Sequence, residues 1–126
     1  MKTIYVFGNP LVKEDSLPLK LINKLKKEFP SLQFKEFDTV EDLDLEKELS
    51  IIDTVKGINK VELIDDIEKI TTSKIYSLHD FDLGYNLKLF KKMKMIDKVR
   101  IFGIPPNIKE KEAFEQLKKL IITNLL

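Results

Sequence analysis

The chain has 126 residues, 43% of them hydrophobic, with 22 Lys+Arg against 21 Asp+Glu for a formal net charge of +1. That length suits one domain, residues 1–126, built on one core, and the near-zero charge gives no sign of broad attraction to nucleic acid or an anionic membrane. The absence of cysteine excludes a disulfide scaffold, a thiolate zinc site and a cysteine nucleophile.

Met1–Lys2 leads straight into a strand, with no apolar leader, small-residue cleavage site or membrane span in view. A cytoplasmic protein is the expectation. Thr3–Phe7 is a β-branched and aromatic run that stops at Gly8-Asn9-Pro10, which predicts a buried first strand. Ser16 is placed to cap a helix with Pro18 in its first turn. Leu17, Leu21, Ile22, Leu25 and Phe29 recur at helical spacing, and Pro30 ends the element. Lys24, Lys26 and Lys27 form its solvated basic face.

Leu32, Phe34 and Phe37 mark a second strand, followed by an acidic stretch around Glu41–Glu48 that reads as a short helix or a loop. Leu49–Val55 is a third strand with a carboxylate, Asp53, in apolar company. Val61–Ile64 is a further short strand, Asp65–Ile70 a connection, and Lys74–Leu78 a strand ending at His79. Asp82 can cap a helix whose inner face is Leu83, Leu87, Phe90 and either Met93 or Met95. Val99–Phe102 is the last strand, closed by Gly103-Ile104-Pro105-Pro106, and Glu112–Leu125 a terminal helix with Phe114, Leu117, Leu120 and Ile121 inward. Strands alternating with helices predict an α/β fold, a three-layer αβα sandwich around a mostly parallel twisted sheet of about five strands.

Ligands of open α/β sheets gather outside the carboxyl ends of the strands. Three ionisable groups fall at such ends in this reading: Asp15 after the first strand, Asp53 near the end of the third and His79 after Lys74–Leu78. Two carboxylates and an imidazole suit a divalent transition metal and leave coordination positions open. Each also has a simpler role. Asp15 can serve the dipole of the helix that follows, and Glu14 beside it can replace it, orient it or merely be solvated. His79 can cap or hydrogen-bond. A carboxylate in an apolar strand is costly unless paired or used, so Asp53 is the hardest of the three to dismiss. A glycine-rich phosphate loop, a serine nucleophile elbow and a zinc motif with a second histidine are all missing.

Taken in order, these segments resemble the [NiFe]-hydrogenase maturation endopeptidases, especially the branch serving membrane-bound, hydrogen-evolving or energy-converting enzymes. Phe-Gly-Asn-Pro-Leu-Val-Lys-Glu-Asp at 7–15 is similar to the family's Gly-Asn-x-Leu loop with its acidic pair. Ile-Ile-Asp-Thr-Val at 51–55 resembles its aspartate-bearing strand, and Leu-His-Asp-Phe-Asp-Leu-Gly-Tyr-Asn-Leu at 78–87 its histidine-bearing turn. Val-Arg-Ile-Phe-Gly-Ile-Pro-Pro at 99–106 is similar to the strand that follows, with its Gly-Ile-x-Pro ending. The chain departs from the family pattern at Val6 and Ser16, where glycine is usual.

The resemblance implies a hydrolase that removes a C-terminal extension from a hydrogenase large-subunit precursor after nickel insertion. Asp15, Asp53 and His79 would then be both its metal ligands and its catalytic residues, and the nickel would arrive with the precursor. A monomer with no nucleic-acid partner and no membrane insertion is the further expectation. Two other readings remain open: a non-catalytic relative that binds the precursor or nickel, and a receiver-like domain with Asp53 as phosphoacceptor.

Overall fold

Five strands and two long helices, all short-range consequences of the apolar spacing, account for most of what the computed structural model describes, namely residues 2–8, 16–37, 47–65, 87 and 89–126. Strand β1 (Lys2–Phe7) leads to helix α1 (Leu17–Glu28) and strand β2 (Leu32–Phe37). Strands β3 (Glu48–Thr54), β4 (Glu62–Ile64) and β5 (Lys98–Ile104) follow, and helix α2 (Glu110–Leu125) ends the chain. They form a five-stranded sheet of order β2-β1-β3-β5-β4. All neighbours run parallel except β4, which is antiparallel to β5. Helices on one face and the segment carrying Leu87, Phe90 and Ile96 on the other complete the αβα sandwich.

Alternation along each strand divides the core in two. Ile4, Val6, Ile52, Phe102 and Ile104 face α1 and α2. Tyr5, Phe7, Leu49, Ile51, Val99 and Ile101 face Leu87, Phe90 and Ile96 on the other side. In β2 the parity of Phe34 and Phe37 sends one to each core, and Phe37 meets Tyr5 edge-on at 5.9 Å between ring centroids. The predicted inner face of α1 is buried in full. Ion pairs run both ways between the helices: Lys118 Nζ of α2 lies 2.6 Å from Glu28 of α1, and Lys24 Nζ of α1 lies 3.7 Å from Glu110 of α2. The hydrogen bond from Lys118 to Glu28, then their opposite charge, raises the Lys118 pKa above its usual value. Such solvated pairs contribute little to stability, so the helices are held by apolar burial.

Several expectations need correction. Ser16 precedes α1, but its backbone is already helical (φ −92°, ψ −16°) and its side chain makes no cap hydrogen bond. The last strand runs on through Ile104, because β5 is an inner strand: Gly103 pairs with Asp53 on one side and Glu62 on the other. Pro105, lacking an N–H, is the stop. Helix α2 begins at Glu110, with Glu110 and Glu112 in its first turn favouring the dipole, and its buried stripe is Ala113, Leu117, Ile121 and Leu125. Phe114 and Leu120 are only partly buried against that core.

Neither Met93 nor Met95 faces inward; they are 60% and 43% exposed, and Ile96 is buried instead. The cause is local. Residues 89–92 are helical, and Lys94 adopts a left-handed conformation (φ 59°) that ends the run. Lys94 N–H donates to Lys91 O at 3.1 Å and Met95 N–H to Phe90 O at 2.9 Å, the paired bonds of a Schellman stop. The acidic stretch as far as residue 46, most of the Asp65–Ile70 connection, the Lys74–Leu78 strand, Asp82 and Leu83 lie outside the described residues. Among the described residues, no helix is long and apolar enough to cross a membrane.

Candidate functional site

The strand order places a topological switch point between β1 and β3, since the chain leaves β1 toward β2 on one side and later builds β3 and β5 on the other. Crevices at such points, beyond the carboxyl ends of the strands, are where open α/β sheets take ligands. The β1–β3 ladder runs from Ile4↔Ser50 to Val6↔Ile52. Asp53 is the next residue of β3, with Gly8 leaving the end of β1.

Asp53 is 4% exposed and shares the parity of Leu49 and Ile51, the face opposite α1 and α2. A carboxylate so buried needs compensating donors. One comes from its own chain: Thr54 N–H donates to Asp53 Oδ1 at 2.7 Å. On the β5 side the register sets Asp53 against Gly103. A Cβ at Gly103 would lie 2.9 Å from Val55 Cγ2 and 3.3 Å from Val55 Cβ, so any side chain here would force Val55 or β5 to shift. Val55 closes the arrangement by donating its N–H to Ile104 O at 2.9 Å. Gly57 (φ 83°) then supplies the left-handed turn that starts the chain toward β4.

Thr54, on the opposite face, is fully buried, and its Oγ1 has no hydrogen-bond partner among the described residues. An unbonded buried hydroxyl carries its whole desolvation cost. Thr54→Val keeps the shape and the N–H to Asp53 while removing that cost, so we expect it to stabilise the fold by about 1 kcal/mol. Thermal melting measures the difference; a lower Tm would mean that the hydroxyl is bonded in solution.

Of the three predicted site residues, Asp53 is therefore at a strand end beside the switch point, as expected. Asp15 and His79, with Glu14, lie outside the described residues. Among the described residues no cluster of three or more metal-ligating side chains occurs. Sequence reasoning missed Thr54 and the pairing of Gly103 with Asp53. A glycine inside an apolar strand run was the available signal for a close approach of backbone or side chain.

The fold has solved counterparts. An endopeptidase from Escherichia coli matches with a TM-score of 0.64 at 18% sequence identity, covering 100% of this chain and 95% of that one. An uncharacterized protein from Wolinella succinogenes matches with a TM-score of 0.56 at 16% identity, covering 97% of this chain and 92% of the other. At such identities the likeness shows a shared fold. No family model and no curated protein matches the chain.

Proposed function

We propose that this chain is an endopeptidase that removes the C-terminal extension of a [NiFe]-hydrogenase large-subunit precursor once nickel has been inserted. The observation that carries the reading is Asp53: a buried carboxylate at the carboxyl end of β3, beside the switch point. Support also comes from the fold, which is shared along nearly the whole length of an endopeptidase, and from the ordered motifs around Asp15, Asp53, His79 and Gly103.

In this mechanism nickel belongs to the substrate. When bound, it polarises the scissile carbonyl or acidifies a water, which accounts for a protease without a serine or cysteine nucleophile at the site. Asp15, Asp53 and His79 supply two oxygen donors and one nitrogen donor to it, a set suited to a divalent transition metal. Asp53 begins with an advantage as a ligand: the Thr54 N–H at 2.7 Å holds its side chain against the strand, so little rotamer freedom remains to be lost on binding. A carboxylate of the pair takes the proton released by the attacking water. Because the metal arrives with the precursor, an empty precursor lacks the group that anchors its peptide, and cleavage reports metal insertion.

The test mixes the purified chain with nickel-loaded and nickel-free large-subunit precursor and follows the C-terminal peptide by mass spectrometry. Release from the loaded precursor alone is expected. Equal release from both would overturn the nickel requirement, and binding without release would identify a non-catalytic precursor-binding protein instead.

A further inference from the structure

The near-neutral net charge conceals a concentrated basic and apolar surface. Residues 89–98 hold Lys91, Lys92, Lys94 and Lys98 against a single acid, Asp97, in a chain whose formal net charge is only +1. All four lysines are exposed. Among the described residues, the nearest acid on the adjoining strand, Glu48, is engaged by Arg100 at 3.1 Å. Among the lysines stand Leu89, Met93 and Met95, exposed to 40%, 60% and 43%. Most of the exposed large hydrophobic side chains of the described residues are therefore on this one turn. Met93 lies one helical turn beyond Leu89, to whose carbonyl its N–H donates at 3.0 Å; the Schellman stop at Lys94 then carries Met95 outside, and the chain re-enters the core only at Ile96.

We propose that this turn docks on an anionic phospholipid surface. Three exposed apolar side chains interspersed with long, flexible cations match a bilayer interface. The methionines and leucine enter the acyl boundary while the lysines lie along it and reach the headgroup phosphates. A protein partner fits less well. Protein interfaces are depleted in lysine, and a patch made by one turn is far below the area of a stable complex. Nucleic acid would use the lysines but leave the methionines in water.

The location suits peripheral docking. The turn precedes β5, at the amino ends of the strands, where Glu48 pairs with Lys98. Asp53 lies at the opposite end of β3, roughly 16 Å away at the rise of an extended strand. Docking by this turn therefore leaves the carboxyl-end crevice facing away from the membrane. The inference does not depend on the proposed protease activity.

Co-sedimentation of the full chain with vesicles tests it, using phosphatidylcholine alone and a mixture with about 30% phosphatidylserine at low and high salt. Binding to the mixed vesicles at low salt is expected, falling roughly tenfold at high salt or on neutral vesicles. Lys91→Glu/Lys94→Glu and Met93→Ser/Met95→Ser should each weaken it several-fold, with circular dichroism and Tm close to those of the parent chain. No binding to the mixed vesicles, or binding that the folded variants retain in full, would overturn the proposal. So would binding that ignores lipid charge, or a preference for duplex DNA of equal phosphate concentration.

Discussion

Asp53→Asn is expected to fold and yet to lose cleavage of the nickel-loaded precursor, by at least about 100-fold, the scale on which a positioned carboxylate contributes to proton transfer or metal chemistry. The separation of effects follows from the local structure. Asparagine keeps an oxygen acceptor for the Thr54 N–H that now donates to Oδ1 at 2.7 Å, and it fills nearly the same volume in a position that is 4% exposed. The backbone register with Gly103 involves no side-chain atom of Asp53 and should persist. What disappears is the negative charge, which a nickel ligand or a general base requires. Cleavage rates on loaded precursor, alongside thermal melting, give both halves of the result. Unimpaired cleavage would reject Asp53 as a site residue; a collapsed Tm would show that the charge serves the fold. His79→Ala provides the companion measurement, a weaker nickel affinity by calorimetry if the imidazole is a ligand. Retention of acid-labile phosphate by the parent chain after incubation with acetyl phosphate would instead favour the phosphoacceptor reading of Asp53.

Gly103→Ala should destabilise the protein by about 1–3 kcal/mol, the usual penalty for forcing a methyl group into filled space. Its Cβ would come within 2.9 Å of Val55 Cγ2, on a branched side chain with few alternative rotamers. Alanine also reduces the freedom of the unfolded chain, a gain of about 0.4–1 kcal/mol, which offsets part of the strain but does not reverse its sign. A fall in Tm of roughly 3–10 °C is the corresponding signal for a domain of this size. The assignment can be isolated by a cycle with Val55→Ala: removing the methyl that is struck should recover part of the loss, so the double variant should be more stable than the two single effects predict. Strict additivity would place the strain elsewhere. Because Gly103 pairs with Asp53, a shifted β5 should also lower processing in the same variant.

The likeness to a solved endopeptidase covers nearly all of this chain at 18% identity. A sheet of this kind tolerates wide change in its side chains because its constraints are periodic: alternating apolar faces, helical apolar stripes and turns at the strand ends. Function is more demanding. It rests on a few groups held in one place.

Periodicity made most elements readable in the chain itself. The β-branched and aromatic run before Gly8, the spacing of Leu17, Leu21, Ile22 and Leu25, the apolar strand around Asp53 and the stripe of the last helix are local patterns. Each needs only its own residues to declare its period. Asp53 was also visible there as a charge in the wrong company. Contacts between residues distant in sequence decided the rest. The antiparallel edge strand β4, the continuation of β5 through Gly103 and the orphaned hydroxyl of Thr54 all depend on which strands become neighbours. The chain reversal that leaves Met95 outside and Ile96 inside depended instead on one left-handed lysine, a conformation that side-chain hydrophobicity does not encode. Pairing register and chain reversal are properties of the assembled sheet, and no single segment carries them.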